Sequence, residues 1–346
     1  MVFMGRIKLL IVDDSLLMQR VLSDIFQSDS QLTVVGTARD GEDALVKIAN
    51  LRPDVVTMDI EMPKMNGLTA VRRIMEIQPT PVVMISALTQ REAQLTLKAL
   101  EFGAVDYVPK PSGQISLNME AVRAELISKV KTAAYANLAV TKPAVNLDLG
   151  AQAKISDKVI SIAASTGGPP AVTKVLSALP ADSPPILIVQ HMPKGVTKLF
   201  AEGLNERCRF TVKEAEEGDR VVERQALIAP GGFHMVVNKD YRVHLTTDAP
   251  VNYVRPAADV LMTSLAEVYG ARNVGVVLTG MGSDGANGIK AIKEQGGITI
   301  GQDQKTSVVY GMPKVAYETG CVDTVASLDR IPREIVKACN GLVIQV

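Results

Sequence analysis

The chain has 346 residues, 47% of them hydrophobic and 21% charged, and its 37 basic side chains balance 37 acidic ones. A length of this order, at about 150 residues per domain, points to two globular domains. Charge neutrality excludes bulk attraction to nucleic acid or to an anionic membrane, and no run approaches the roughly 20 apolar residues of a membrane span.

The amino terminus, MVFMGRIKLLIVDDS, is interrupted by Arg6 and Lys8 and closes on two aspartates, which does not suit a signal peptide. A cytoplasmic protein is expected. From residue 7, strand-like apolar runs alternate with helical periods: IKLLIV, then Leu16 to Gln27; LTVVGT, then Gly41 to Asn50; DVVTMD, then Leu68 to Ile77; PVVMIS, then Gln90 to Glu101; and AVDYVP, followed by a helix from Met119. This alternation predicts a five-stranded, doubly wound parallel sheet of flavodoxin-like type over residues 1–127. Residues 128–156 include a stretch rich in Ala and small polar residues without sustained periodicity, which reads as a linker.

Asp13 and Asp14 close the first strand and Asp59 the third. In a parallel sheet these ends converge on the carboxyl edge, where ligands bind. Three carboxylates there repel one another unless a cation holds them, and oxygen ligands suit Mg²⁺. Ser86 and Lys110, at the ends of strands four and five, add a hydroxyl and an ammonium. A single aspartate after a strand is ordinarily a cap or turn former. Five polar residues at four ordered strand ends describe a site for phosphorylating an aspartate.

Residues 157–346 open a second series: KVISIAAS, PILIVQH, QALIAP, HMVVN, RVHLTT, NVGVVLT and ITIGQD, with helical patterns near 169–179, 257–269 and 285–295. A Rossmann-like α/β domain is expected, with HMVVN and RVHLTT pairing as an antiparallel hairpin across Lys239 and Asp240. The first run breaks at Ser165-Thr166-Gly167-Gly168-Pro169-Pro170. A serine there can serve a turn, a phosphate cradle or nucleophilic catalysis. A cradle would normally add a lysine just after the glycines, and none comes before Lys174.

A nucleophilic serine needs a base. Of the three histidines, His234 and His244 lie inside the hairpin runs and read as structural, whereas His191 closes a strand on the same edge as Ser165. The third member must be an acid that orients the imidazole. Asp284, in VVLTGMGSDGANG, follows another apolar strand, and Asp303 is its nearest competitor. The small residues around Asp284 let backbone fold tightly and approach a substrate. GMGSDG also fits a dinucleotide fingerprint by spacing, with Asp303 about twenty residues on. An aspartate inside the loop would, however, oppose a pyrophosphate, and the loop comes late in the domain. Gly167 and Gly168 are read as leaving room for substrate, and Pro169 or Pro170 suits a first helical turn.

The first constellation, on Asp13, Asp14, Asp59, Ser86 and Lys110, resembles the receiver domain of two-component response regulators. That resemblance makes Asp59 the phosphoacceptor, makes Asp13, Asp14, Asp59 and the Glu61 backbone carbonyl the Mg²⁺ ligands, and gives Ser86, Tyr107 and Lys110 switch roles. It also implies a cis Lys110-Pro111 peptide. The second constellation, in SIAASTGGP, VQHMP, LIAPGGFHM, NYVRPAADVL and LTGMGSDGA, resembles the catalytic domain of the chemotaxis methylesterase CheB family. It implies a Ser165, His191, Asp284 triad, an oxyanion hole from the amides of Thr166 and Met281, and no cofactor for ester hydrolysis. The implied reaction is hydrolysis of glutamate γ-methyl esters on methyl-accepting chemoreceptors, with receptor glutamine deamidation as a second activity and the histidine kinase CheA as phosphoryl donor. A monomer is expected. A response regulator with a purely binding output is the alternative, but a DNA-binding one would need a basic recognition helix, which is not seen.

Overall fold

The computed structural model describes residues 5–87, 89–110, 119–138 and 157–340. By its contacts the chain divides into two compact units, 1–141 and 142–346.

In the first unit, β1 (Ile7–Val12), β2 (Leu32–Ala38), β3 (Val55–Asp59), β4 (Val82–Ser86) and β5 (Asp106–Pro109) form one parallel sheet in the order β2-β1-β3-β4-β5. Between them run α1 (Leu16–Gln27), α2 (Gly41–Leu51), α3 (Gly67–Ile77) and α4 (Gln90–Glu101), with α5 (Met119–Ala133) last. Helix α1 packs with α5, and α3 packs with α2 and α4. A sheet covered on both faces accounts for strands that read as unbroken apolar runs: β3 and β4 are buried at every position. The helix starts follow local chemistry, because Ser15, Asp40, Asn66 and Thr89 each accept a backbone N–H three residues ahead.

Helix α5 ends at Ala133, where its sequence period from Met119 to about Ala134 places it, and Val130 and Ala133 are fully buried, so residues 128–133 of the 128–156 span belong to the last helix. Residues 139–156 and the Lys110-Pro111 peptide lie outside the described residues.

The second unit is built on β6 (Val159–Ala164), β7 (Ile186–Gln190), β8 (Thr211–Glu214), β9 (Gln225–Ile228), β12 (Asn273–Val277), β13 (Ile298–Gln302) and β14 (Thr324–Ala326). All pair in parallel, in the order β14-β13-β12-β6-β7-β9-β8, while β10 (His234–Val237) and β11 (Val243–Thr246) form the separate antiparallel hairpin. Helices α6 (Gly168–Ala178), α7 (Val196–Asn205) and α11 (Ile331–Cys339) form one packed group, and α8 (Ala258–Tyr269), α9 (Ala286–Glu294) and α10 (Met312–Glu318) another. The chain starts at β6 and then winds outward both ways, so the point where strand order reverses lies between β6 and β12.

Candidate active site and acidic pocket

Strand register sets the second unit's site. The Ser165 amide, one residue past β6, donates to Thr279 O at 3.0 Å beyond β12, and the His191 amide donates to Ala164 O at 3.1 Å. Ser165 and His191 therefore leave neighbouring strands side by side, one strand spacing of about 4.8 Å apart. Asp284, seven residues past β12, folds back over them. Its Oδ2 lies 2.7 Å from His191 Nε2.

Asp284 is 2% exposed, and every partner it has is a donor. The Ala258 amide reaches Oδ2 at 2.6 Å, and the Asp259 amide reaches Oδ1 at 3.0 Å. Both belong to the first turn of α8, whose unpaired N–H groups favour a negative charge. Burial pushes the carboxyl upward, but His191 and the two amides outweigh it and hold the group below the ordinary carboxylate range. An ionised carboxylate only accepts, so Nε2 carries the proton and Nδ1 keeps the lone pair. Among the described residues Ser165 Oγ has no hydrogen-bond partner, and Nδ1 is the nitrogen left to serve it. Catalytic hydrogen bonds of this kind commonly close only when substrate arrives.

Three supporting residues lie inside the quoted motifs, Gln190 in VQHMP and Asn252 and Asp259 in NYVRPAADVL, but the motifs give them no role. Asn252 Nδ2 bridges the two carboxylates, donating to Asp259 Oδ2 at 3.0 Å and to Asp284 Oδ1 at 3.2 Å. Asp259 is buried and ties α8 to α9, accepting from the Gly285 and Gly288 amides at 2.9 and 2.8 Å and from Asn287. Gln190, also buried, donates to the carbonyls of Ser165 and His191 at 3.0 and 3.4 Å.

The glycines around the serine turn out to serve packing rather than substrate clearance. A Cβ at Gly167, where φ is +72°, would meet Val308 at 2.5 Å, and one at Gly168 would run into Gln190 Oε1. Gly280 brings the loop against the nucleophile, because its Cβ would sit 2.8 Å from Ser165 Cβ. Thr166, in the turn before α6, is buried, and Met281, next to Gly280, is partly exposed.

The competing groups have other work. Asp303 accepts from the amide and hydroxyl of Thr306 in a local turn. His234 is buried, with Nδ1 accepting from the Ala257 amide at 3.2 Å and Nε2 donating to Ala249 O at 3.1 Å, so it braces the entry to α8. His244 pairs with Glu217 on the surface. The Cys208 thiol is pushed up to about 11 by burial, far from a nucleophile's range.

In the first unit, one oxygen from each of Asp13, Asp14 and Asp59 falls within 4.8 Å of the others. Lys110 Nζ lies 2.7 Å from Asp59 Oδ2 and 3.4 Å from Asp13 Oδ2, so one ammonium reaches two of the three carboxylates. Burial, with the Asp13 charge adding to it, raises Asp59 to about 6 against the pull of Lys110, and burial likewise raises Asp13. Among the described residues, buried Asp13 Oδ2 has only the long ion pair with Lys110 and accepts no well-formed hydrogen bond. A set of hard oxygens carrying surplus negative charge, with a lone pair that no well-formed hydrogen bond takes up, fits a divalent cation such as Mg²⁺. Glu61 turns its own carboxylate to Arg91 at 3.6 Å, outside this cluster. Ser86 Oγ donates to Glu92 Oε2 at 3.1 Å, and the Ala87 amide donates to the same oxygen. Tyr107 is 3% exposed, its buried hydroxyl has no hydrogen-bond partner among the described residues, and Lys129 stands 5.3 Å from its ring centre.

Millimolar Mg²⁺ is expected to raise the thermal unfolding midpoint of the first unit at neutral pH, by relieving repulsion among ionised carboxylates. Asp13→Asn is expected to abolish that rise. An equal rise in the variant, by calorimetry, would exclude Asp13 from the cation site.

A flavodoxin-like sheet with an acidic pocket, joined to an α/β domain that brings a serine, an imidazole and a carboxylate to neighbouring strand ends, defines a receiver-linked hydrolase class. Comparison with known proteins makes the assignment specific. The chain belongs to the CheB methylesterase family, whose profile matches residues 160–335, and residues 9–122 match the response regulator receiver domain. It is 50% identical to a protein-glutamate methylesterase/protein-glutamine glutaminase of Pyrococcus horikoshii, over 98% of this chain and 95% of that one. The protein of the same name from Symbiobacterium thermophilum is 46% identical, over 96% of this chain and 97% of its own. The crystal structure of the Thermotoga maritima CheB methylesterase catalytic domain is 40% identical, covering 53% of this chain and 99% of that domain with a TM-score of 0.51. Among the described residues no helix is long and apolar enough to cross a membrane.

Proposed function

We propose that this chain is a phosphorylation-controlled hydrolase of glutamate γ-methyl esters on methyl-accepting chemoreceptors, releasing methanol. The observation that carries the reading is the 2.7 Å contact of His191 Nε2 with an ionised Asp284, next to the strand end bearing Ser165. Ser165 Oγ attacks the ester carbonyl as His191 Nδ1 takes its proton, and Asp284 stabilises the imidazolium. The proton passes to the departing methoxide, and water cleaves the acyl-enzyme by the same route. The amides of Thr166 and Met281 are the assigned oxyanion donors, supported by the approach of the Gly280 segment to Ser165. No cofactor enters this chemistry.

The same machinery is suited to glutamine side chains, with ammonia as leaving group, an activity that the names of the relatives carry. In the receiver, Asp59 is the phosphoacceptor, and the histidine kinase CheA is the donor that the family implies. Mg²⁺ would be held by the carboxylates of Asp13, Asp14 and Asp59 and the carbonyl of Glu61, and when bound it neutralises charge during phosphoryl transfer. Lys110 and Ser86 hold the phosphoryl oxygens. Because Ser86 is bonded to Glu92 in α4, its recruitment releases that contact and frees the buried Tyr107 to change its packing. The working form is a cytoplasmic monomer.

The test is methanol release from receptor membranes carrying labelled methyl esters. Release by the wild-type chain that stops on treatment with a serine-directed inhibitor supports the reading. Intact esters after incubation with a folded, phosphorylated enzyme would exclude it.

A further inference from the structure

One turn beside the active site carries a residue that its backbone does not favour. Val251 and Val254 exchange backbone hydrogen bonds of 3.2 and 3.0 Å across Asn252 and Tyr253, whose φ angles are 53° and 64°. Positive φ at both central positions marks a type I′ turn, in which glycine ordinarily takes the second place. A bulky side chain there bears the steric cost of left-handed backbone that glycine avoids. Burial or bonding would normally offset such a cost. Tyr253 has neither, since its exposure is 102% and it makes no hydrogen bond, ion pair or ring contact among the described residues.

The place of the turn supplies a reason for keeping it. Asn252 is bonded to both Asp284 and Asp259, so the turn is pinned to the site's carboxylate. Tyr253 begins one residue away, about 3.8 Å along the chain. A glutamyl ester extends only a side chain's length from its own backbone. A receptor segment offering that ester to Ser165 must bring its main chain and neighbouring side chains over the surface around the site, and Tyr253 is exposed on the turn bonded to the site's carboxylate.

Resting on the proposed reaction, the geometry points to Tyr253 as a docking residue for the macromolecular substrate, an amphipathic helix carrying the esterified glutamate. The ring lies on the aliphatic stems of residues flanking the ester, and its hydroxyl meets a polar neighbour. A rigid two-residue turn presents it with little ordering left to lose on binding.

The experiment compares the full-length chain with Tyr253→Gly and Tyr253→Phe on two substrates, methylated receptor membranes and a free glutamate γ-methyl ester too small to reach the turn. The glycine variant is expected to unfold at the same or a higher temperature, since it relieves the strained backbone. Its kcat/KM on receptor is expected to fall by about tenfold or more, chiefly through KM, while turnover of the small ester stays within about twofold. Tyr253→Phe keeps most of the receptor activity. Unchanged kcat/KM on receptor in the glycine variant overturns the inference. An equal loss on both substrates also overturns it, because Tyr253 would then act through the Asn252 contact. Receptor esters left intact by the wild-type chain would fail the proposed function itself, and the inference with it.

Discussion

Asp284→Asn is expected to lower kcat by about four orders of magnitude at neutral pH, with the fold retained. The four donors around this carboxyl, His191 Nε2, the amides of Ala258 and Asp259, and Asn252 Nδ2, leave no acceptor for an amide NH₂. If the new NH₂ faces His191, the ring must turn its lone pair toward residue 284 and shift its proton to Nδ1, where Ser165 needs a base. It also faces the Ala258 N–H on the same side. If the NH₂ faces the Asp259 amide instead, two donors collide there. Either arrangement leaves a buried donor unpaired, which costs about 1–3 kcal/mol of stability. The sign of the pH effect follows from the lowered carboxyl. Its stabilising contribution is fully present above the unfolded value of 3.8 and is lost as pH falls through the lower folded value, so wild type weakens in acid more steeply than the variant. Ser165→Ala should cost as much or more, and adding Asp284→Asn to it should cost little further, because the three groups act as a unit. Steady-state kinetics on methylated receptor, with acid unfolding followed by circular dichroism, reads both effects. A kcat loss below about tenfold would remove Asp284 from the mechanism.

Much of the site is legible because parallel sheets put chemistry at strand ends. Asp59 and Ser86 are the last residues of β3 and β4, and Ser165 and His191 directly follow β6 and β7. An apolar run ending on a polar residue therefore locates each of them. Asn252 and Asp259 carry no such mark, and Gln190, which does end the apolar run of β7, gives no sign of its own partners. Their partners stand between 25 and 32 residues away, at Ser165, Asp284, Gly285 and Gly288, and only the folded register joins them. Helix α7 escapes the reading because its ten residues, with Gly203 inside, show only a short period; its uncapped start at Gly195, where φ is +88°, is shared by α6 and α9 and does not set it apart. Strand β14, at three residues, is too short to show a period. Small residues such as the two glycines after Ser165 mark close approach without saying what approaches, and here Val308 and Gln190 of the protein itself come against them.

Asp59→Asn is expected to remove the whole stimulation of esterase turnover by a small-molecule phosphoryl donor, while unstimulated turnover stays within about twofold of wild type. The loss is complete because the amide that replaces the acceptor oxygen cannot form an acyl phosphate, and no second carboxylate is equally placed. Asp13 is tied to the Ser15 amide through Oδ1, and Asp14 is exposed. Among the described residues only Asp59 combines burial, a 2.7 Å contact with Lys110 and a position on the central strand β3, between β1 and β4. The unstimulated rate is spared because the triad, its amides and its bracing carboxylate all come from residues 165–284 of the second unit. The comparison also bears on the route of control. If the Ser86 hydroxyl carries the signal, Ser86→Ala should accept phosphate on Asp59 at a measurable rate yet transmit less of it, since its bond to Glu92 is already broken in every state. Phosphoprotein yield and methanol release measured on the same samples separate the two steps. Stimulation that survives in Asp59→Asn would place the phosphoacceptor elsewhere and dismantle this scheme.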